Sequence, residues 1–150
     1  MRYVAIIGPS EATDAERAAA RTCGQWLAER EAVVITGGHG GVMAAAVRGV
    51  HERDGICVGL LPGSDRSGAD AHLTVSLPTG LGELRNGLIV RAADVILAIG
   101  GSWGTMSEIA LAVRTGVPVI SFAGWNMPAD GVTVATSLDE ALEAVWTLGS

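Results

Sequence analysis

Glu108 is the residue of this 150-residue chain with the most chemistry within reach. It follows an apolar run, Val95-Ile96-Leu97-Ala98-Ile99, and a glycine turn, Gly100-Gly101-Ser102-Trp103-Gly104, and stands three residues past Thr105. The run reads as a strand covered on both faces, as in parallel sheets. The turn feeds a helix whose first N–H groups lack intrahelical partners and carry the positive end of the helix dipole. Such an end suits phosphate or carboxylate. One reading of Gly101, Ser102, Gly104, Thr105 and Glu108 is therefore an anion cradle with a carboxylate beside it. The other is structural. Thr105-Met106-Ser107-Glu108 has the spacing of a capping box, in which the glutamate only caps the helix.

The elements that must position these residues alternate in type. Strands are expected over residues 2–7, 32–36, 56–61, 73–77, 94–99, 117–122 and 132–135. Between them lie helical patterns. The first starts from a Thr13 or Asp14 cap and runs to about residue 30, with Ala18, Ala19, Cys23, Trp26 and Leu27 near helical spacing. The second runs from 42 to about 53 with a stripe of Val42, Met43, Ala46, Val47 and Val50. A third, over 83–93, puts Leu84, Leu88 and Ala92 on one stripe. The helix holding Glu108 continues through Ile109, Ala110, Leu111 and Val113 to about 114. Ser137, with Glu140 completing a capping box, starts the last. Residues 64–71 read as an exposed loop, and 124–130 as a loop carrying Trp125.

Strand–helix alternation implies right-handed βαβ crossovers and a single α/β domain, doubly wound in three layers around a mostly parallel sheet. Ligands of such folds sit beyond the carboxyl ends of the strands. Three glycine turns fall there: Gly8-Pro9-Ser10, the 37–41 turn, and the 100–104 turn. Gly8, Ser10, Gly37, Gly38 and Gly41 thus join the candidate phosphate or nucleotide-binding set. None of these turns reads G-x-G-x-x-G or carries G-K-S/T, which speaks against dinucleotide and P-loop sites.

Composition narrows the function further. A net charge of −6 argues against a general nucleic-acid binder. Hydrophobic residues make up 49% of the chain, and mean hydropathy is +0.38. Arg91 and Asp94 nevertheless interrupt the longest apolar run, and the N-terminal one is too short for a signal peptide. The expectation is a cytoplasmic protein without a membrane partner, its surplus apolar content explained by a sheet covered on both faces and by a homodimer or larger homo-oligomer through helix faces between 83 and 114. Cys23 and Cys57 are isolated and read as buried thiols without a disulfide. His39, His51 and His72 share no metal-ligand spacing, so no metal site is expected. Arg91 and Asp94 have the spacing of a modest helix-end ion pair. Trp103 and Trp125 have the chemistry to stack on a base, though core or interface packing is the simpler role.

Taken together, these residues resemble the Lonely Guy family of cytokinin-activating phosphoribohydrolases, long mislabelled as lysine decarboxylases. The family signature, P-G-G-x-G-T-x-x-E after an upstream Arg-Lys pair, aligns with Gly100 to Glu108, and Arg85-Asn86 falls where Arg-Lys is expected. Gly8-Pro9-Ser10, the turn from Gly37 to Met43, and Gly59-Leu60-Leu61-Pro62 match in order. Three positions depart: Gly100 replaces the Pro, Ser102 the second Gly, and Asn86 the Lys. These features are closer to a bacterial side branch that also resembles a molybdenum-cofactor carrier protein, which binds without hydrolysing. The resemblance implies a Rossmann-like domain and a phosphate-bearing small-molecule ligand, with no separate cofactor and no lysine decarboxylase activity. In the hydrolase, a nucleoside 5′-monophosphate such as AMP, or an N6-substituted relative, is split into base and ribose 5-phosphate. Glu108 and Arg85 would be its catalytic pair. Glu108, kept ionised by the helix dipole, would stabilise an oxocarbenium-like state or orient water, and Arg85 would hold the phosphate or sit against Glu108. In the carrier, the same cradle would hold a nucleotide or pterin phosphate.

Overall fold

Apolar runs bounded by glycine, proline and polar turns become strands, and the stretches between them coil into helices that bury one stripe each. The computed structural model describes residues 1–128 and 130–150; Ala129, in the 124–130 loop, lies outside the described residues. Among the described residues there are seven strands: β1 Tyr3–Ile7, β2 Val33–Thr36, β3 Ile56–Leu61, β4 Val75–Pro78, β5 Val95–Ile99, β6 Val119–Phe122 and β7 Val132–Ala135. Five helices accompany them: α1 Asp14–Ala28, α2 Val42–His51, α3 Asn86–Ala92, α4 Trp103–Thr115 and α5 Leu138–Leu148. The strands form one sheet in the order β4-β3-β2-β1-β5-β6-β7. Every pairing is parallel, so the sheet expected to be mostly parallel is wholly so. The result is a single doubly wound α/β domain.

The two-residue period of the strands splits the core into two layers. Val4, Ile6, Val34, Leu97 and Ile99 face α1, α2 and α5. Ala5, Ile7, Ile35, Ile96 and Ala98 face α3 and α4. β1 is central, with Val4 opposite Val34 on one side and Val95 on the other. From β1 the chain winds outward to β4, then returns to place β5 on β1's free side. The carboxyl ends of β1 and β5 therefore form the switch point at which doubly wound sheets open a crevice.

Local chemistry explains most helix ends. Thr13 and Glu16 form a complete capping box at α1. At α5, Ser137 accepts from the Glu140 N–H, but the Glu140 carboxylate takes the N–H and hydroxyl of Thr136, one residue earlier than expected. The helix expected over 83–93 opens as a 3₁₀ turn, Gly82–Arg85, before α3 begins. That tighter turn changes the phase. Asn86, Ile89 and Val90 are buried, while Leu84 is 79% exposed and Leu88 is also exposed. In α4 the buried residues are Thr105, Glu108, Ile109 and Ala112, leaving Leu111 and Val113 outside. Asp94 accepts a hydrogen bond from the Tyr3 N–H at 2.9 Å instead of pairing with Arg91. Cys23 and Cys57 are free and buried, and burial pushes the Cys23 thiol up to about 12. No described helix is long and apolar enough to cross a membrane. No described cluster of His, Cys, Asp or Glu is placed to hold a metal ion.

Candidate functional site

The crevice at the switch point is a cleft of about 230 Å³. Gly8 and Ser10 from the β1–α1 turn, Ser102, Gly104, Thr105 and Glu108 from α4, and Arg85 and Asn86 at the start of α3 line it. Met43, Pro62 and Glu83 complete the wall. Four of the glycines expected to bind phosphate stand outside the cleft and shape it from behind. A Cβ on Gly37 would lie 2.6 Å from Arg85 Nη2 and 2.8 Å from Met43 Sδ, so this glycine makes room for the guanidinium. Gly41 begins α2 at φ 65°, where a side chain would strike the Pro9 carbonyl. Gly38 packs against Leu61 and Gly101 against the Trp125 ring.

Ser102, not Thr105, caps α4. Its Oγ accepts from the Thr105 N–H at 3.2 Å and lies 2.9 Å from Thr105 Oγ1. The capping-box reading of Thr105 and Glu108 is therefore not realised. Thr105 is already inside the helix, and Glu108 sits a turn further on, only 6% exposed, in the cleft wall. The cap also uses the N–H and hydroxyl of Thr105. The donors left at this helix end are the N–H groups of Trp103 and Gly104, which helix geometry leaves without intrahelical partners.

Arg85 is held by its neighbours. Its Nη1 donates to Asn86 Oδ1, and its Nη2 reaches the Gly37 carbonyl at 3.4 Å. Asn86 Nδ2 lies 3.3 Å from Ser107 Oγ, which donates to the Gly104 carbonyl at 2.7 Å. A side-chain relay thus ties the guanidinium to the first turn of α4. Asn86 and Ser107 are the positioning residues that sequence reasoning missed. Their signal was present: Asn86 stands where the hydrolase signature has lysine, and Ser107 is a variable position within that signature. Arg85 Nε is buried and has no hydrogen-bond partner, a costly state unless something else supplies one.

Arg85 and Glu108 share the cleft without forming an ion pair within 4 Å, and none of the ion pairs among the described residues includes either. Burial raises the Glu108 carboxyl to about 7, and the charge of Arg85 only partly offsets it. The expectation of a carboxylate kept fully ionised is corrected on this point: the group is buried, and burial favours its protonated form. Burial lowers the Arg85 guanidinium, and Glu108 opposes that. His39, expected as an isolated loop histidine, is lowered by burial and by the nearby charge of Arg85.

Comparison with known proteins places this architecture. Residues 1–146 match the family described as SLOG cluster4. The chain belongs to that family. An uncharacterized protein of Archaeoglobus fulgidus is 34% identical over 121 residues, 81% of this chain and 80% of the relative. Among solved structures, the SLOG cluster4 chain is similar to the molybdenum cofactor binding protein of the phototrophic bacterium Rippkaea orientalis. The two share 29% identity and a TM-score of 0.93, covering 99% of this chain and 98% of that one. It is also similar to the molybdenum cofactor carrier protein of Chlamydomonas reinhardtii, with 28% identity, a TM-score of 0.91 and the same coverage.

Proposed function

We propose that this protein binds and carries a phosphate-bearing pterin of the molybdenum-cofactor type, without hydrolysing it. The observation that carries the reading is one cleft that pairs open helix-end N–H groups with a guanidinium whose buried Nε lacks a protein partner. The helix-end N–H groups and the guanidinium charge both favour an oxygen-rich anion. Whole-length similarity to two molybdenum-cofactor proteins supports the pterin. Asn86 in place of the signature lysine removes a cation that the hydrolases have. Neopterin monophosphate is expected to bind by calorimetry, while AMP incubated with the protein for hours releases no adenine. Steady release of adenine would overturn the carrier reading.

One observation favours the second reading, an AMP phosphoribohydrolase of the Lonely Guy type. A carboxyl that titrates near neutrality beside a guanidinium is the kind of group acid–base catalysis uses. The adenine-release assay separates the two.

Gly104 gives a direct test of the cradle. A Cβ there would meet only Ser102 Oγ, at 3.9 Å, so a side chain enters open space at the cleft mouth. Gly104→Val is expected to leave the unfolding free energy within about 1 kcal/mol of wild type. It should weaken binding of a phosphate-bearing ligand at least about tenfold by blocking the approach. Equal affinity in the variant would put the site elsewhere.

Self-association is expected from an apolar surface on the α3–α4 side of the sheet. Tyr3, Ile56, Val75 and Leu77 are exposed on the sheet face that α3 and α4 leave partly open, and Leu84 and Leu88 border it. A second copy covering this face is expected to give a dimer in solution. Light scattering should report twice the chain mass, and Leu84→Glu with Leu88→Glu should return a monomer. A monomeric wild type at micromolar concentration would sink this expectation.

A further inference from the structure

We propose that the exposed indole of Trp103, backed by Trp125, is a stacking platform for the planar ring of the ligand whose phosphate occupies the α4 cradle. Trp103 is the first residue of α4, between the cap Ser102 and the cleft residue Gly104, and it is 80% exposed. Its ring meets Trp125 at 5.0 Å between centroids and an interplanar angle of 79°, an edge-to-face contact that fixes its orientation. Trp125 is 44% exposed and lies on Gly101, which has no Cβ because the indole fills that space, within 2.6 Å of where a Cβ would stand. Ser102 and Thr105, whose hydroxyls lie 2.9 Å apart, form the wall between the cleft and the small hollow beneath Trp125, and Trp103 stands in sequence between the cleft residues Ser102 and Gly104.

Core packing does not account for Trp103, which is 80% exposed. The chain has six aromatic residues other than histidine, and two of them stand in the open beside the anion cradle. The other two tryptophans, Trp26 and Trp146, are accounted for. They pack edge-to-face on each other, under Arg30 and Arg2. Arg2 precedes β1, so that pair lies at the amino end of the sheet, away from the cleft. An aromatic face next to bound phosphate selects a ligand with a flat heterocycle, because every such ring offers a π-face whatever its edge chemistry.

The inference rests on the proposed anion site, and ribose 5-phosphate, which has phosphate but no planar ring, reports on that site separately. Ring-bearing probes are AMP and neopterin monophosphate. In wild type, the tighter of the two should bind about tenfold better than ribose 5-phosphate, about 1.4 kcal/mol. It should also quench tryptophan fluorescence. Trp103→Ala should bring that ratio close to one and abolish the quench, and Trp103→Phe should restore part of the ratio. Trp103 is a surface residue, so circular dichroism of the variants should match wild type. If ribose 5-phosphate binds but neither ring-bearing probe gains affinity, or the gain survives Trp103→Ala, the platform is overturned while the anion site stands. If none of the probes binds wild type, the anion site itself fails and the platform falls with it.

Discussion

Glu108→Gln is expected to stabilise the ligand-free protein at pH 8 and to leave its stability at pH 4.5 nearly unchanged. The carboxyl is raised in the folded chain from 4.5 to about 7 by burial. Between those two values the folded state holds a proton that the unfolded state has lost. The slope of stability against pH is set by protons bound unfolded minus folded, so it is negative across this window. Wild-type stability therefore falls from pH 4.5 to 7 and levels off above, where burying the ionised carboxylate costs about 3 kcal/mol. Glutamine resembles the protonated acid and does not titrate. At pH 8 the variant should exceed wild type by roughly that amount, which for a domain of this size is about 6–12 °C in Tm. Thermal and urea unfolding of both proteins at pH 4.5, 6 and 8 checks this. Parallel pH profiles would show that Glu108 does not titrate near neutrality.

The same substitution reads out function. A carboxylate in the cleft repels a phosphate, so at pH 8 the glutamine variant should bind a phosphate-bearing ligand more tightly than wild type. The gap should close as pH falls through about 7 and Glu108 takes up its proton. If the protein were a hydrolase, the variant would bind and lose turnover by orders of magnitude, because the charge matters mainly in the oxocarbenium-like state.

Much of this architecture can be read from residue patterns, and the failures have physical causes. The apolar runs Tyr3–Ile7 and Val95–Ile99 had to be interior strands, because no polar residue interrupts them. The turns that follow supplied the switch point. Ambiguity entered wherever two residues could serve one local need. Ser102 and Thr105 both have side chains fit to cap a helix, and spacing alone does not say which carbonyl starts it. The choice decides whether Glu108 is an exposed cap or a buried acid. The 3₁₀ turn before Asn86 shifted the expected stripe of α3, since three residues per turn and 3.6 accumulate different phases. Burial of Glu108, and with it the raised carboxyl, depends on α3 lying against α4, which no local pattern encodes. Trp103, for which core or interface packing was the simpler role, is outside this chain's core because it starts a helix at the sheet's rim, where it meets only Trp125 edge to face.

Arg85→Ala should produce the largest loss of binding of any single change in the cleft. Among the residues lining it, Arg85 is the only cation, facing Glu83 and Glu108. Without it, a phosphate meets two acids and the N–H groups of one helix end. Hydrogen bonds to charged groups are worth about 1.5–3 kcal/mol each, and a guanidinium can offer two to one phosphate. The dissociation constant for a phosphate-bearing ligand is therefore expected to rise about 100-fold, about 2.7 kcal/mol. Arg85→Lys should recover only part of this. A single ammonium has no planar fork to hold the Gly37 carbonyl and Asn86 Oδ1 while facing the ligand. A second readout separates loss of charge from loss of structure. The charge of Arg85 lowers the Glu108 carboxyl against the effect of burial, so removing it should move the Glu108 titration above 7. The pH at which ligand affinity declines should shift upward with it. Arg66→Ala, which removes a surface arginine bonded to the Ser76 carbonyl, should change neither quantity. Calorimetry across pH 5–9 on the three variants decides the matter. A change in affinity below threefold for Arg85→Ala, with the titration where it was, would mean that the guanidinium braces α3 against the β2 turn and holds no ligand.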